Sequence, residues 1–337
     1  MCSIVPPYLL ANIARNGTAR QRAVAVRSLR LDGVHRSERS TVTVLAEQQA
    51  AGDGLQRSVS SAGGTESLPG RPVRTEGDAP SGDPAVDEAY DGLGATYALY
   101  LDAYGRRSVD DADLPLPATV HYGRDYDNAF WNGERMVFGD GDGELFQRFT
   151  IAVDVIGHEL THAVTEQTAG LAYQGQSGAL NESVSDVFGS LVKQRALGQD
   201  AAAADWLIGA GLFTDQVQGV ALRSMKAPGT AYDDDVLGRD PQPAHLRDLV
   251  ETTDDNGGVH VNSGIPNHAF YLAATAIGGQ AWEVTGRIWY DTLVAGDLAP
   301  TADFAAFAAA TVRSAQGRFG PAEEQAVRAA WEAVGVV

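Results

Sequence analysis

Cysteine is nearly absent: Cys2 is the only one in 337 residues. No intrachain disulfide can staple this chain, so burial of apolar surface must hold it together. Lysine is almost as scarce. Lys193 and Lys226 are the only two, and the other basic residues are arginines. No apolar run reaches the roughly 20 residues that a membrane-spanning helix needs. A secretory leader is also missing, because Met1-Cys-Ser-Ile-Val-Pro-Pro7 has no basic segment and prolines interrupt its short apolar run. That combination implies a cytoplasmic protein or one exported by a non-standard route. Positive charge is in deficit, with 25 basic against 44 acidic residues and a net charge of −19. Nucleic acids and anionic membranes would repel such a chain and are excluded as partners.

What is present describes a globular protein, 44% hydrophobic and 20% charged. Its organising stretch is Ile151 to Gln167, where apolar residues recur at 152, 155, 156, 160, 163 and 164 with neither Pro nor Gly after Gly157. This is the pattern of a buried helix. His158 and His162, four residues apart, project from one face and can share one Zn²⁺. Glu159 lies on the adjacent edge, placed to take a proton from a water at the metal and not to ligate. Two satisfied core histidines beside a surface glutamate would fit the same short pattern.

The next helix reduces that ambiguity. In Asn181-Glu182-Ser-Val-Ser-Asp186, Glu182 follows His162 by 20 positions. Two histidines and one carboxylate leave a fourth position open for water, as catalytic zinc requires. Asp186, one turn further on, can face the same site and orient His158 through its second ring nitrogen.

Along the rest of the chain, helices are predicted from Tyr8 to Arg15, stopping near Gly17, and from about Ala19 to Leu31. A β-prone patch follows at Ser40-Thr-Val-Thr-Val-Leu45. Residues 51–84, rich in Gly, Ser, Pro and charge, read as a flexible arm. A helix is predicted over Ala89 to Tyr104. Strands are predicted at 119–122 and 135–138, bracketing the turn Trp131-Asn132-Gly133. Gly178 to Lys193 reads as a helix, Thr214 to His260 as loop-rich, and Pro266 to Val336 as three helices. The coarse picture is a β-containing N-terminal half and a helical C-terminal half.

His158-Glu-Leu-Thr-His-Ala-Val-Thr-Glu166, Gly178-Ala-Leu-Asn-Glu-Ser-Val-Ser-Asp-Val-Phe-Gly189, Asp255-Asn-Gly-Gly-Val-His-Val-Asn-Ser-Gly264 and Asp127-Asn-Ala-Phe-Trp-Asn-Gly133 together resemble the thermolysin family of zinc metalloendopeptidases. Pro6-Pro7-Tyr8-Leu9 resembles the short propeptide of its protealysin-like branch. The resemblance implies an α+β fold of two domains flanking a substrate cleft. Residues 1–50 would then be an inhibitory propeptide, and 51–84 an arm carrying the maturation site. Residues 85–167 would form the N-terminal catalytic domain including the metal helix, and 168–337 the helical C-terminal domain.

The same resemblance assigns further roles. Tyr173 and His260 match the donors to the oxyanion of the reaction, and Asp255 matches the carboxylate that orients His260. Arg223 matches the arginine that binds a substrate carbonyl. Asn128 and the backbone of Ala129 match the edge that pairs with an extended peptide. Phe146, Phe149, Val155, Ile208 and Leu222 fall where the family lines its pocket, implying large apolar residues just after the cleaved bond. The family's double calcium site is expected to be lost. Asp154 and Asp205 fit two of its positions, but Lys193, Leu207 and Ala210 replace other acidic ligands, and an ammonium repels calcium. Cys2 is a candidate thiolate cap on the zinc. The expected partners are protein or peptide substrates and the chain's own propeptide. The competing reading is a catalytically idle peptide-binding protein on this fold, its cleft blocked by the N-terminal segment. The presence of base, ligands and oxyanion donors together favours the enzyme.

Overall fold

The computed structural model describes residues 3–42 and 54–337. Two helices lead the chain, α1 (Pro7–Asn16) and α2 (Ala19–Val42). Proline at the first position of α1 loses no hydrogen bond, because that amide has no helical partner. Leu9, Leu10 and Ile13 form the buried face of α1, and burial of such side chains stabilises by roughly 1.5–3 kcal/mol each. They belong, with Ile4 and Val5, to the same hydrophobic cluster as the metal helix. The N-terminal segment is therefore part of the main core and not a separately packed unit. The predicted β patch is corrected in part: α2 continues through Ser40 to Val42, and residues 43–45 lie outside the described residues.

The N-terminal half carries a five-stranded sheet in the order β2-β1-β3-β5-β4. Its strands are β1 (Arg57–Ser61), β2 (Arg71–Thr75), β3 (Leu116–Val120), β4 (Ala129–Trp131) and β5 (Met136–Phe138). The β1–β3 and β3–β5 pairs are parallel, whereas β1–β2 and β4–β5 are antiparallel. The flexible arm is thereby corrected, since β1 and β2 fall within 51–84. Their polar composition conceals how they are held. Arg57 pairs with Glu76 at 2.6 Å and Arg74 with Asp87 at 2.9 Å, and both guanidiniums lie over the Tyr90 ring, 3.6 and 3.7 Å from its centroid. The turn at 132–135 joins β4 to β5, not the strand at 119–122, which belongs to β3 and ends at Val120.

The helix α3 (Pro84–Tyr104), capped by the Asp83 side chain, packs under the sheet. The metal helix α4 (Val153–Gln167) follows and lies against α5 (Gly175–Leu197). Their approach is unusually close. A Cβ on Gly189 would stand 2.4 Å from the Asp154 carbonyl oxygen, so glycine is required there. Beyond the short ladders β6 (Leu207–Ile208) with β7 (Arg223–Ser224) and β8 (Asp233–Asp234) with β9 (Gly238–Arg239) come α6 (Asp255–Asn262), α7 (Gly264–Ile277), α8 (Thr285–Val294), α9 (Phe304–Arg318) and α10 (Pro321–Ala333). Four helices, not three, fill the stretch from about Pro266. Gly320 at φ 123° and Pro321 at the first helical position separate α9 from α10, because proline has no amide to continue a preceding helix. Among the described residues no helix is long and apolar enough to cross a membrane.

Candidate active site

The close packing of α4 on α5 brings His158 and His162 against Glu182. His158 Nε2 lies 3.1 Å from His162 Nε2 and 3.6 Å from Glu182 Oε2, and His162 Nε2 is 3.5 Å from Glu182 Oε1. Among the described residues these three are the one His/Cys/Asp/Glu group whose donor atoms converge on a point. The other ring nitrogens settle the tautomers. His158 Nδ1 donates to Asp186 Oδ1 at 2.8 Å and His162 Nδ1 to Asn181 Oδ1 at 2.7 Å. The Asn181 amide is oriented in turn, because its Nδ2 donates to the Leu171 carbonyl at 3.0 Å. Both Nε2 lone pairs therefore face each other across 3.1 Å, which is favourable only with a cation between them. Tetrahedral zinc with ligand bonds of 2.0–2.1 Å would hold two nitrogens about 3.3 Å apart, so the donor set fits zinc. Burial alone would raise the Glu182 carboxyl, but positive charge around it, His260 first, outweighs burial and lowers it to about 2.

Glu159 is buried beside this centre and accepts a hydrogen bond from the Trp131 amide at 3.1 Å. The donor is available because β4 is an edge strand. Alternation along a strand turns the backbone groups of Ala129 and Trp131 away from β5 and toward the cleft.

On the opposite side, His260 is held by Asp255, whose carboxylate accepts from the ring Nδ1 at 2.7 Å and from the His260 amide at 3.0 Å. The chain can fold back this far because Asp255, Asn256, Gly257 and Gly258 all adopt positive φ, between 51° and 84°. The two glycines bear that conformation without strain. The His260 Nε2 comes within 3.3 Å of the Tyr173 hydroxyl, which also donates to Glu182 Oε1. Burial disfavours the imidazolium of His260, but Glu182 and Asp255 outweigh it and raise its pKa.

Asp186 links the metal centre to the cleft. Besides His158, it accepts from Arg223 Nε at 2.9 Å and Nη2 at 2.8 Å, and from Asn267 Nδ2 at 2.8 Å. Although burial opposes its ionisation, Arg223 and His158 hold its pKa far below the ordinary range. Arg223 keeps Nη1 for the cleft, where it donates to the Ile4 carbonyl at 3.1 Å. The Ile4 amide donates to the Ala129 carbonyl at 3.1 Å. Asn128 holds the next residue, accepting from the Val5 amide at 2.9 Å and donating to the Val5 carbonyl at 3.3 Å. The N-terminal segment thus contacts the edge expected to pair with an extended peptide.

Phe146, Phe149, Val155, Ile208 and Leu222 are all buried in one apolar cluster that also contains Ile4. Lys193 reaches Asp154 at 3.0 Å and Asp205 at 2.9 Å. Cys2 lies outside the described residues.

Four groups escaped the sequence reading. Asn181 orients His162, the Trp131 amide holds Glu159, Asn267 supports Asp186, and Asp32 of α2 receives Asn128 Nδ2 at 3.0 Å and the Tyr126 hydroxyl at 2.6 Å. Only Asn181 left a signal, since it precedes Glu182 and stands one turn before Ser185, whose hydroxyl is also 3.1 Å from His162 Nδ1. A backbone amide has no signature in side-chain pattern.

Comparison with known proteins agrees with this geometry. The thermolysin metallopeptidase catalytic domain matches residues 40–166, and the thermolysin metallopeptidase alpha-helical domain matches 169–336. An extracellular metalloprotease of Pectobacterium carotovorum subsp. carotovorum is 54% identical over 100% of this chain and 96% of the relative. Protease PrtS of a Photorhabdus strain is 48% identical over 99% and 91%. Among solved structures, the precursor of protealysin, a metalloproteinase from Serratia proteamaculans, superposes with a TM-score of 0.93 at 54% identity, covering 100% of both chains. Matched across both halves and aligned end to end with a precursor, the chain belongs to the thermolysin family of zinc metalloendopeptidases, in its protealysin-like branch.

Proposed function

We propose that this protein is a latent endopeptidase precursor whose N-terminal segment, residues 1 to about 50, occupies the cleft until it is cut away. The observation that carries this reading is the Ile4–Val5 backbone, gripped by Arg223, Ala129 and Asn128 beside the metal donors. A substrate strand would use the same contacts. Zinc bound by His158, His162 and Glu182 supplies Lewis acidity to the attacking water and the scissile carbonyl. Glu159 takes the proton of that water and returns it to the leaving nitrogen. His260 and Tyr173 donate to the oxyanion, and Asp255 keeps the His260 ring turned toward it. Asp186 and Asn181 hold the two ligand imidazoles in place. The apolar wall of Phe146, Phe149, Val155, Ile208 and Leu222 favours a large apolar side chain just after the cleaved bond.

The maturing cut falls between α2 and β1, because strands within a sheet resist proteases. Calcium is not bound near α4, since the Lys193 ammonium already lies between Asp154 and Asp205. The extracellular name of the Pectobacterium relative favours export of this chain.

The test is incubation of purified protein at neutral pH with zinc, following casein hydrolysis, zinc content and the N-terminal sequence. Latency followed by a new N-terminus between 43 and 57 and activity blocked by a zinc chelator is expected. Full activity of the uncleaved chain overturns the propeptide role. Zinc-loaded, cleaved protein without turnover would instead favour the idle binding protein.

A further inference from the structure

The N-terminal segment is anchored to the edge of β4 at Ile4 and Val5. The Ile4 amide donates to the Ala129 carbonyl, and the Asn128 side chain holds the amide and carbonyl of Val5. Two residues further along β4 from Ala129, the Trp131 amide holds Glu159. Ser3 is itself buried. From the other side, Arg223 takes the Ile4 carbonyl while binding Asp186, the carboxylate that orients His158. Ile4 is fully buried in the apolar cluster that includes Phe146, Phe149 and Leu222. Residue 4 thus has its amide and its carbonyl held from opposite sides and its side chain fully buried.

We propose that the precursor hydrolyses its own Ser3–Ile4 bond, trimming Met1-Cys2-Ser3 before the larger segment is removed. This rests on the reading of the protein as a latent endopeptidase. In the reaction the water oxygen bonds to the Ser3 carbonyl carbon and the bond from that carbon to the Ile4 nitrogen breaks. Glu159 carries both water protons in turn to the nitrogen, leaving a Met-Cys-Ser carboxylate and a protonated Ile4 amine. The contacts that Ile4 and Val5 make with Ala129, Arg223 and Asn128 lie on the Ile4 side of the cut. The amine can still donate to Ala129, and Arg223 and Asn128 hold carbonyl and amide groups that the cut does not touch. The trimmed strand remains tethered to α1, so the cleft stays filled and the protein stays latent. Trimming and activation are separate events.

Intact mass and N-terminal sequence of the wild-type precursor and of Glu159→Ala, both zinc-loaded and incubated at neutral pH, test this directly. The segment released on maturation is sequenced as well. Wild-type precursor and released segment should both begin at Ile4, whereas Glu159→Ala should retain Ser3 and Cys2. Ile4→Asp, which sets a carboxylate against the apolar wall, should slow trimming at this bond by more than tenfold. If Glu159→Ala also begins at Ile4, another protease made the cut and the proposal falls. If the wild type retains Ser3 yet digests casein after maturation, self-trimming is wrong and the endopeptidase reading stands. If it neither trims nor digests casein, the endopeptidase reading fails, and self-trimming with it.

Discussion

Lys193 Nζ stands 3.0 Å from Asp154 Oδ2, and its remaining contacts are Asp205 Oδ1 at 2.9 Å and the Leu207 carbonyl at 2.6 Å. The lysine side chain is 10% exposed and Asp154 1%. Such a pair need not add net stability, because desolvation offsets its attraction, but removing one partner leaves a buried charge. Lys193→Ala should therefore cost about 3 kcal/mol, since Asp154 would keep only the Gly209 amide at 3.2 Å. Thermal melts with and without millimolar calcium check the corollary. The wild-type midpoint should not move with calcium, and a rise of several degrees would show a surviving ion site.

Glu159→Ala should keep the fold and the zinc while lowering turnover by roughly 10²–10⁴-fold. Elemental analysis and casein hydrolysis by the pure variant separate this role from that of a ligand. His162→Ala and Glu182→Ala, by contrast, should lose the metal itself.

Asn181→Ala removes the acceptor that fixes the His162 ring. Weakening of zinc affinity by roughly 10–100-fold is expected, with the fold unchanged. Competition against a graded series of chelators measures it. Affinity equal to wild type would show that the Ser185 hydroxyl suffices.

His121 sits between two carboxylates, Asp140 at 2.9 Å and Asp83, the cap of α3, also at 2.9 Å. Asp140 and Asp83 raise the imidazole against the opposing effect of its burial, to about 9. A group whose pKa is raised on folding stabilises fully below its unfolded value, near 6.5, and loses that contribution as pH climbs through about 9. His121→Gln, made in Glu159→Ala to keep the chain intact, should melt below its parent at pH 6. The difference should shrink between pH 6.5 and 9. A gap independent of pH would mean that the ring acts by packing alone.

Local patterns carried much of this protein. The four-residue interval of His158 and His162, repeated by Glu182 and Asp186, puts each pair on one helix face whatever surrounds it, because helical period is a property of neighbouring residues. The family motifs likewise lay in contiguous runs, and the approach of Lys193 to Asp154 and Asp205 followed from their family positions. Strands β1 and β2 escaped because their composition is that of a loop; ion pairs to Glu76 and Asp87 and the Tyr90 ring hold them, and these become neighbours only after folding.

The sequence by itself determined the candidate metal donors, the glutamate beside them and the helical frame that carries them. Tertiary structure alone decided which backbone amide meets Glu159, that Asn181 orients His162, and where Ile4 lies along β4. The reason is physical. Asn128 and Val5 are 123 positions apart, and their contact depends on which edge of the sheet is open and how closely two helices approach at Gly189. Those distances arise from packing and have no period along the chain.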